Sequence, residues 1–135
     1  MAQPANPTLH GVTPYLTVRG ASDAAEFYKR AFGAEELTRV PASDGKRLIH
    51  CHLRINNADV MMSDEFPEQG HGLGAGPVGV MLHLAVDDAD KWCNRAVEAG
   101  ATVTVPVAVQ FWGDRYGQIR DPFGHTWSIG APVNK

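Results

Sequence analysis

Cysteine is scarce in this sequence: two in 135 residues, Cys51 and Cys93, far apart in the chain. That excludes a disulfide scaffold and leaves no paired spacing for a redox motif or a zinc ribbon. Both are expected to be buried free thiols in a reducing cytoplasm. No apolar run approaches the roughly 18 residues of a membrane span. The first residues, Met1 to Thr8, lack the charged-then-apolar pattern of a leader and read as a short mobile tail. Positive charge is not in surplus: 12 Lys and Arg stand against 15 Asp and Glu, a net charge of −3. Nucleic acid and anionic membranes are therefore not expected as partners. What remains is the composition of an ordinary soluble domain, 44% hydrophobic and 20% charged, long enough to bury its own core.

Hydrophobic periodicity divides the chain into short elements. Val12 to Val18 alternates apolar and polar, the period of a half-buried strand, with Pro14 marking an edge or a strand start. Ser22 is a candidate N-cap for a helix whose apolar stripe is Ala24, Phe27, Tyr28, Ala31 and Phe32, and Gly33 stops it. Glu36–Val40, Arg47–Ile55 and Asp59–Asp64 read as strands, joined by an Asp44-Gly45 turn and a tight Asn56-Asn57 turn. The order then recurs. Val80–Val86 alternates like the first strand, Asp87 or Asp88 caps a helix ending at Gly100, and strands follow at Thr102–Val105, Tyr116–Arg120 and His125–Ile129.

Element order, the Val-x3-Leu-x-Val spacing and the helix stop all repeat together, which marks an internal duplication. The expectation is an α+β fold of two tandem βαβββ modules forming a curved mixed sheet around a cleft, with the helices outside. Residues 1–135 would form one domain: module one at about 10–65, a Gly- and Pro-rich mobile linker at about 66–78, and module two at about 79–131. The linker glycines are not a phosphate loop, because no Lys-Ser/Thr follows them.

Glu26-Phe27-Tyr28 with Phe32-Gly33, Ala99-Gly100-Ala101, and Trp112-Gly113-Asp114-Arg115 followed by Asp121-Pro122-Phe123-Gly124-His125-Thr126-Trp127 resemble the vicinal-oxygen-chelate superfamily, in its PhnB-like, glyoxalase-like branch. That group contains glyoxalase I, extradiol dioxygenases, fosfomycin-resistance enzymes and bleomycin-binding proteins. The resemblance implies a homodimer and a small-molecule ligand. It also implies metal ligands on the first and last strands of each module, which here fall on Thr13, Met62, Met81 and Ser128. None of these is a His or a carboxylate, so no metal and no other cofactor is expected there.

Strand parity sorts the remaining residues. Val12, Leu16, Val18, Ile49, Cys51 and Leu53 are assigned to the core, with Leu82, Leu84, Val86, Ile119, Trp127 and Ile129. His50, His52 and His83 then face the cleft as candidate acid–base groups, because only histidine titrates near neutrality unaided. Tyr15, Arg54, Met62, Asp64, Met81, Trp112, Arg115, Tyr116, Gln118, Arg120 and Ser128 are the candidate ligand-binding residues, a lining suited to a polar or anionic metabolite or drug. Arg115 and Arg120 have a competing structural use, as ion pairs with Asp114 and Asp121. His10, His71 and His125 are read as solvent-exposed. The leading expectation is a metal-independent small-molecule-binding protein; if it is an enzyme, a glyoxalase-like lyase, isomerase or hydrolase. The alternatives are a divalent-metal lyase, isomerase or dioxygenase using a displaced set from His50, His52, Asp64 and His83, and a non-catalytic drug-sequestering resistance protein.

Overall fold

The computed structural model describes residues 9 and 11–133; the tail Met1–Thr8 and His10 lie outside them. Two compact units divide the chain, Met1–Lys29 with Gly33–Ala75, and Arg30–Phe32 with Gly76–Lys135.

The first unit contains β1 (Tyr15–Val18), most of α1 (Ala21–Phe32), β2 (Glu35–Pro41), β3 (Leu48–Ile55) and β4 (Ala58–Asp64). Its sheet order is β1-β4-β3-β2, with β1 and β4 parallel and the other pairs antiparallel. The second unit contains β5 (Met81–Ala85), α2 (Ala89–Ala99), β6 (Thr102–Val109), β7 (Asp114–Arg120) and β8 (Thr126–Pro132), in the same order β5-β8-β7-β6 with the same parallel pair. Among the described residues, two α-helices and eight strands in two like modules make the expected α+β fold.

Local chemistry accounts for the boundaries. Gly33 ends α1 at φ 67°, its N–H bonded to the carbonyl of Lys29, and Ala34 N–H reaches Tyr28. Asn56 and Asn57, both at positive φ, form the two-residue turn between β3 and β4. Asp88 caps α2 by accepting from the N–H of Lys91. The first helix departs from the sequence reading. Its N-cap is Gly20, not Ser22, and the carboxylate that holds its first turn is that of Asp64, at the end of β4. The Ser22 hydroxyl instead accepts from Arg39.

Each sheet has a buried face. In the first unit it carries Leu16, Val18, Cys51, Leu53, Ile55, Val60 and Met62; in the second, Leu84, Val86, Ile119, Trp127 and Ile129. Burying side chains of this size contributes about 1.5–3 kcal/mol each. Two core assignments fail. Val12 precedes β1 and is 96% exposed, and Ile49 is 52% exposed while Leu48 is buried. The β2–β3 register shifts between Val40 and Pro41, opposite this end of β3, and that irregularity breaks the alternation. The segment expected as a mobile linker holds a 3-10 turn at Pro67–Gln69 and a Phe66–His71 bridge. Strand β6 runs four residues beyond the expected Val105 and includes Pro106, which an edge strand tolerates.

Candidate functional site

On the open face of the first sheet, β1, β4 and β3 bring Tyr15, Met61 and His52 into one cross-strand row, because Tyr15 pairs with Met61 and Met61 with His52. The Tyr15 hydroxyl lies 2.9 Å from Nδ1 of His50. Burial raises the Tyr15 pKa, and burial together with the neighbouring charge of His52 lowers that of His50. Tyr15 is therefore a protonated donor and His50 a neutral acceptor at Nδ1, which leaves the His50 Nε2–H as a donor. His52 is 2% exposed, and its Nε2 is 2.9 Å from Oδ1 of Asp59. An ionised carboxylate only accepts, so His52 donates there through its Nε2–H. The bonds from His52 and from Arg54, at 3.2 Å, hold the Asp59 carboxyl below the usual carboxylate range. Arg54 thus meets a carboxylate already on its own sheet.

The same unit has a half-open cavity of about 680 Å³. Tyr15, Thr17, Ile49 and Ser63 line it from the sheet, Ala42, Ser43, Asp44 and Arg47 from the β2–β3 connection, and Phe66, Glu68, Gln69 and His71 from the segment after β4. Sequence parity missed this cavity. Its walls come from a turn and a linker that alternation does not describe, and the only local signals were the Asp44-Gly45 turn and Phe66. His71 is exposed, as expected, but stands on this wall.

On the open face of the second sheet the parity reading places residues correctly. Met81, His83 and Ala85 stand opposite Thr126, Ser128 and Gly130, and Gln118 and Tyr116 pair with Ser128 and Gly130. His83 Nδ1 is 2.7 Å from the Ser128 hydroxyl, and the His83 ring stacks on Tyr116 at 6.1 Å. Gln118 donates to the Tyr116 hydroxyl at 3.1 Å, and Trp112 meets Tyr116 edge-on at 5.3 Å. A Cβ on Gly130 would come within 3.0 Å of His83 Cε1, so glycine there lets the imidazole lie against the strand. Arg120 is exposed and has no ion pair among the described residues.

Three candidates point elsewhere. Met62 and Asp64 share the parity of Leu16 and Val18 through the β1–β4 register, and both are buried away from the open face; Met61 and Ser63 occupy it instead. Asp64 accepts from Gly20 N–H at 2.7 Å, Ala21 N–H at 3.0 Å and Leu48 N–H at 2.8 Å, which ties the helix start to two strands. Arg115 pairs with Asp90 of α2 at 2.8 and 3.0 Å, on the helix-covered face, rather than with Asp114. Asp121 accepts from Phe123 N–H, His125 N–H and Trp127 Nε1–H, so it braces its own turn rather than pairing with Arg120. His125, expected exposed, is half-buried.

The metal positions of the family do not fit a divalent ion. Thr13, Met81 and Ser128 offer a hydroxyl, a thioether and a hydroxyl engaged by His83, and the residue facing outward on β4 is Met61, another thioether. Among the described residues no three His, Cys, Asp or Glu side chains gather to hold an ion, and Asp64 is withdrawn from the displaced set by its three backbone donors.

Twin βαβββ units, each a four-stranded sheet with one helix-covered face and one open face, define the fold class. The chain belongs to the Glyoxalase/Bleomycin resistance protein/Dioxygenase superfamily, whose family model matches residues 8–129. An uncharacterized protein of Mycobacterium tuberculosis is 47% identical over 129 residues, spanning 92% of this chain and 75% of that one. In fold, the PhnB protein of Bacillus cereus superposes with a TM-score of 0.72 at 15% identity, over 90% of this chain and 99% of that one. The fosfomycin resistance protein FosX of Listeria monocytogenes, solved with Mn(II) and a dihydroxypropylphosphonic acid, gives 0.68 at 15% identity, with 93% of each chain covered.

Proposed function

We propose that this chain is a metal-independent small-molecule-binding member of the superfamily, acting as one cytoplasmic glyoxalase-like domain in a homodimer. The observation that carries the reading is the chemistry at the family's metal positions. Hydroxyls and thioethers stand there; each unit also carries a hydrogen-bonded open face, and the first a cavity of about 680 Å³. Exposed apolar side chains such as Val80, at 73%, and Phe111, at 96%, support a covering partner. Protein purified without chelator is expected to hold far less than one equivalent of Zn, Ni, Mn or Fe by elemental analysis, to keep its melting temperature in EDTA, and to run as a dimer by light scattering. Stoichiometric metal would overturn the reading.

A second reading is favoured by the histidine geometry. With His52 oriented by Asp59 and His50 by Tyr15, the first sheet has the parts for proton transfer to an oxygenated substrate. In this conformation His52 is buried, so His50 and, in the second unit, His83 are the rings within reach of a ligand. Ligands recovered from a thermal-shift screen decide between turnover and sequestration. Product that forms with wild type and is lost in His50→Gln or His83→Gln supports chemistry, and ligand returned unchanged supports sequestration.

A further inference from the structure

We infer that the cavity of the first unit binds a small organic cation bearing hydroxyl groups, that is, a protonated hydroxylated amine. This rests on the binding role proposed above and names the ligand class for one of its faces.

The cavity's ionised lining is two carboxylates, Asp44 and Glu68, against one guanidinium, Arg47. Arg47 is already spent. Its Nε donates to Asp44 Oδ2 at 2.7 Å, Nη2 to Glu68 Oε2 at 2.8 Å and Nη1 to Glu68 Oε1 at 3.3 Å, while its Cζ sits 4.3 Å over the Phe66 ring. An anion entering the cavity would have to displace one carboxylate from Arg47 while facing the other. A cation meets a lining whose net charge is one negative. Both carboxyls stay ionised well into acid: backbone N–H groups of Arg47 and Lys46, then the Arg47 side chain, hold Asp44 down, and Arg47 holds Glu68 down.

The uncharged wall favours hydroxyls on the ligand. Thr17, Ser43 and Ser63 bring hydroxyl groups and Gln69 an amide, while Ile49 and Phe66 supply apolar surface against which C–H faces can pack. The volume lies within the range of about 300–1,000 Å³ usual for small-molecule sites. The site is thus the opposite in sign of the anion-holding lining that unpaired arginines would make.

Titration calorimetry of the full-length chain with glucosamine, glucose and glucuronate tests this. The three share a ring and hydroxyls and differ in charge. Glucosamine is expected to bind tightest and glucuronate weakest, and the glucosamine affinity should fall as NaCl rises from about 0.05 M to about 0.5 M. Glu68→Gln should weaken glucosamine binding about threefold, and Gln69→Glu, which adds a carboxylate on the same wall, should strengthen it about threefold. Equal or better binding of glucose or glucuronate overturns the inference, as does no binding of any of the three, or variants that leave the affinity unchanged. Preference for glucuronate would leave the binding role intact, whereas stoichiometric metal in the purified protein would remove the reading beneath it.

Discussion

Asp64 shows how one side chain can tie together parts of a module that are distant in sequence. Its two oxygens satisfy three backbone donors, two at the start of α1 and one at the start of β3. Removing the carboxylate strands the Ala21 and Leu48 donors inside the protein and the Gly20 donor in a part-buried place, and each unsatisfied buried donor costs about 1–3 kcal/mol. Asp64→Ala should therefore destabilise the chain by about 3 kcal/mol or more in urea unfolding, and Asp64→Asn, which keeps one acceptor, by less. His50 offers a different residue-scale readout. Its pKa is lowered in the folded state by burial and by His52, so between the folded and unfolded values the unfolded chain binds the extra proton. Its contribution is complete above the ordinary histidine pKa of about 6.5 and is lost as pH falls through the lower folded value. His50→Gln should flatten the acid side of a melting-temperature profile in that window, and an unchanged profile would refute the assignment.

Among the elements, the β6–β7 pair approaches closely at one glycine. A Cβ on Gly117 would lie 2.8 Å from the Val105 carbonyl oxygen and 3.0 Å from the Val107 Cα, where the register shifts between Val105 and Ala108. The third close atom is Val107 Cγ2 at 2.8 Å, and even if that side chain yields the two backbone contacts stay, so Gly117→Ala should cost about 1–3 kcal/mol, measurable by chemical denaturation. Gly130→Ala meets the His83 ring most closely, with Tyr116 Cδ2 at 3.7 Å, and should act on that ring's position instead. Periodicity made most elements legible, and the second sheet's open face followed from alternation because β5, β7 and β8 pair there without a register shift. In the first sheet it failed where long-range contacts decide. The cap of α1 comes from a residue 43 or 44 positions away in sequence, and an irregularity turns Ile49 outward. Met62 was misplaced for another reason: only the pairing of Leu16 with Met62 shows that the outward residue is Met61. The cavity was illegible because the turn at 42–47 and the segment at 66–71 carry no period.

For the molecule as a whole, the duplication distributes its two thiols evenly. Cys51 lies in the first unit and Cys93 in the second, both buried and unpaired. Burial pushes the Cys51 thiol up to about 11, and burial with Asp90 nearby raises that of Cys93. Each sulfur is thus both hidden and poorly nucleophilic until its own surroundings open. The chain carries one internal clock per repeat. Under native conditions a maleimide should label each cysteine at the rate its unit unfolds, with mass spectrometry of the digested protein reading the two separately. Equal rates would mean that the duplicated halves open as a single cooperative body. Unequal rates would show that one copy of the ancestral unit has kept more of its stability than the other, and occupancy of the first unit's cavity by a ligand would change that difference by slowing Cys51 alone.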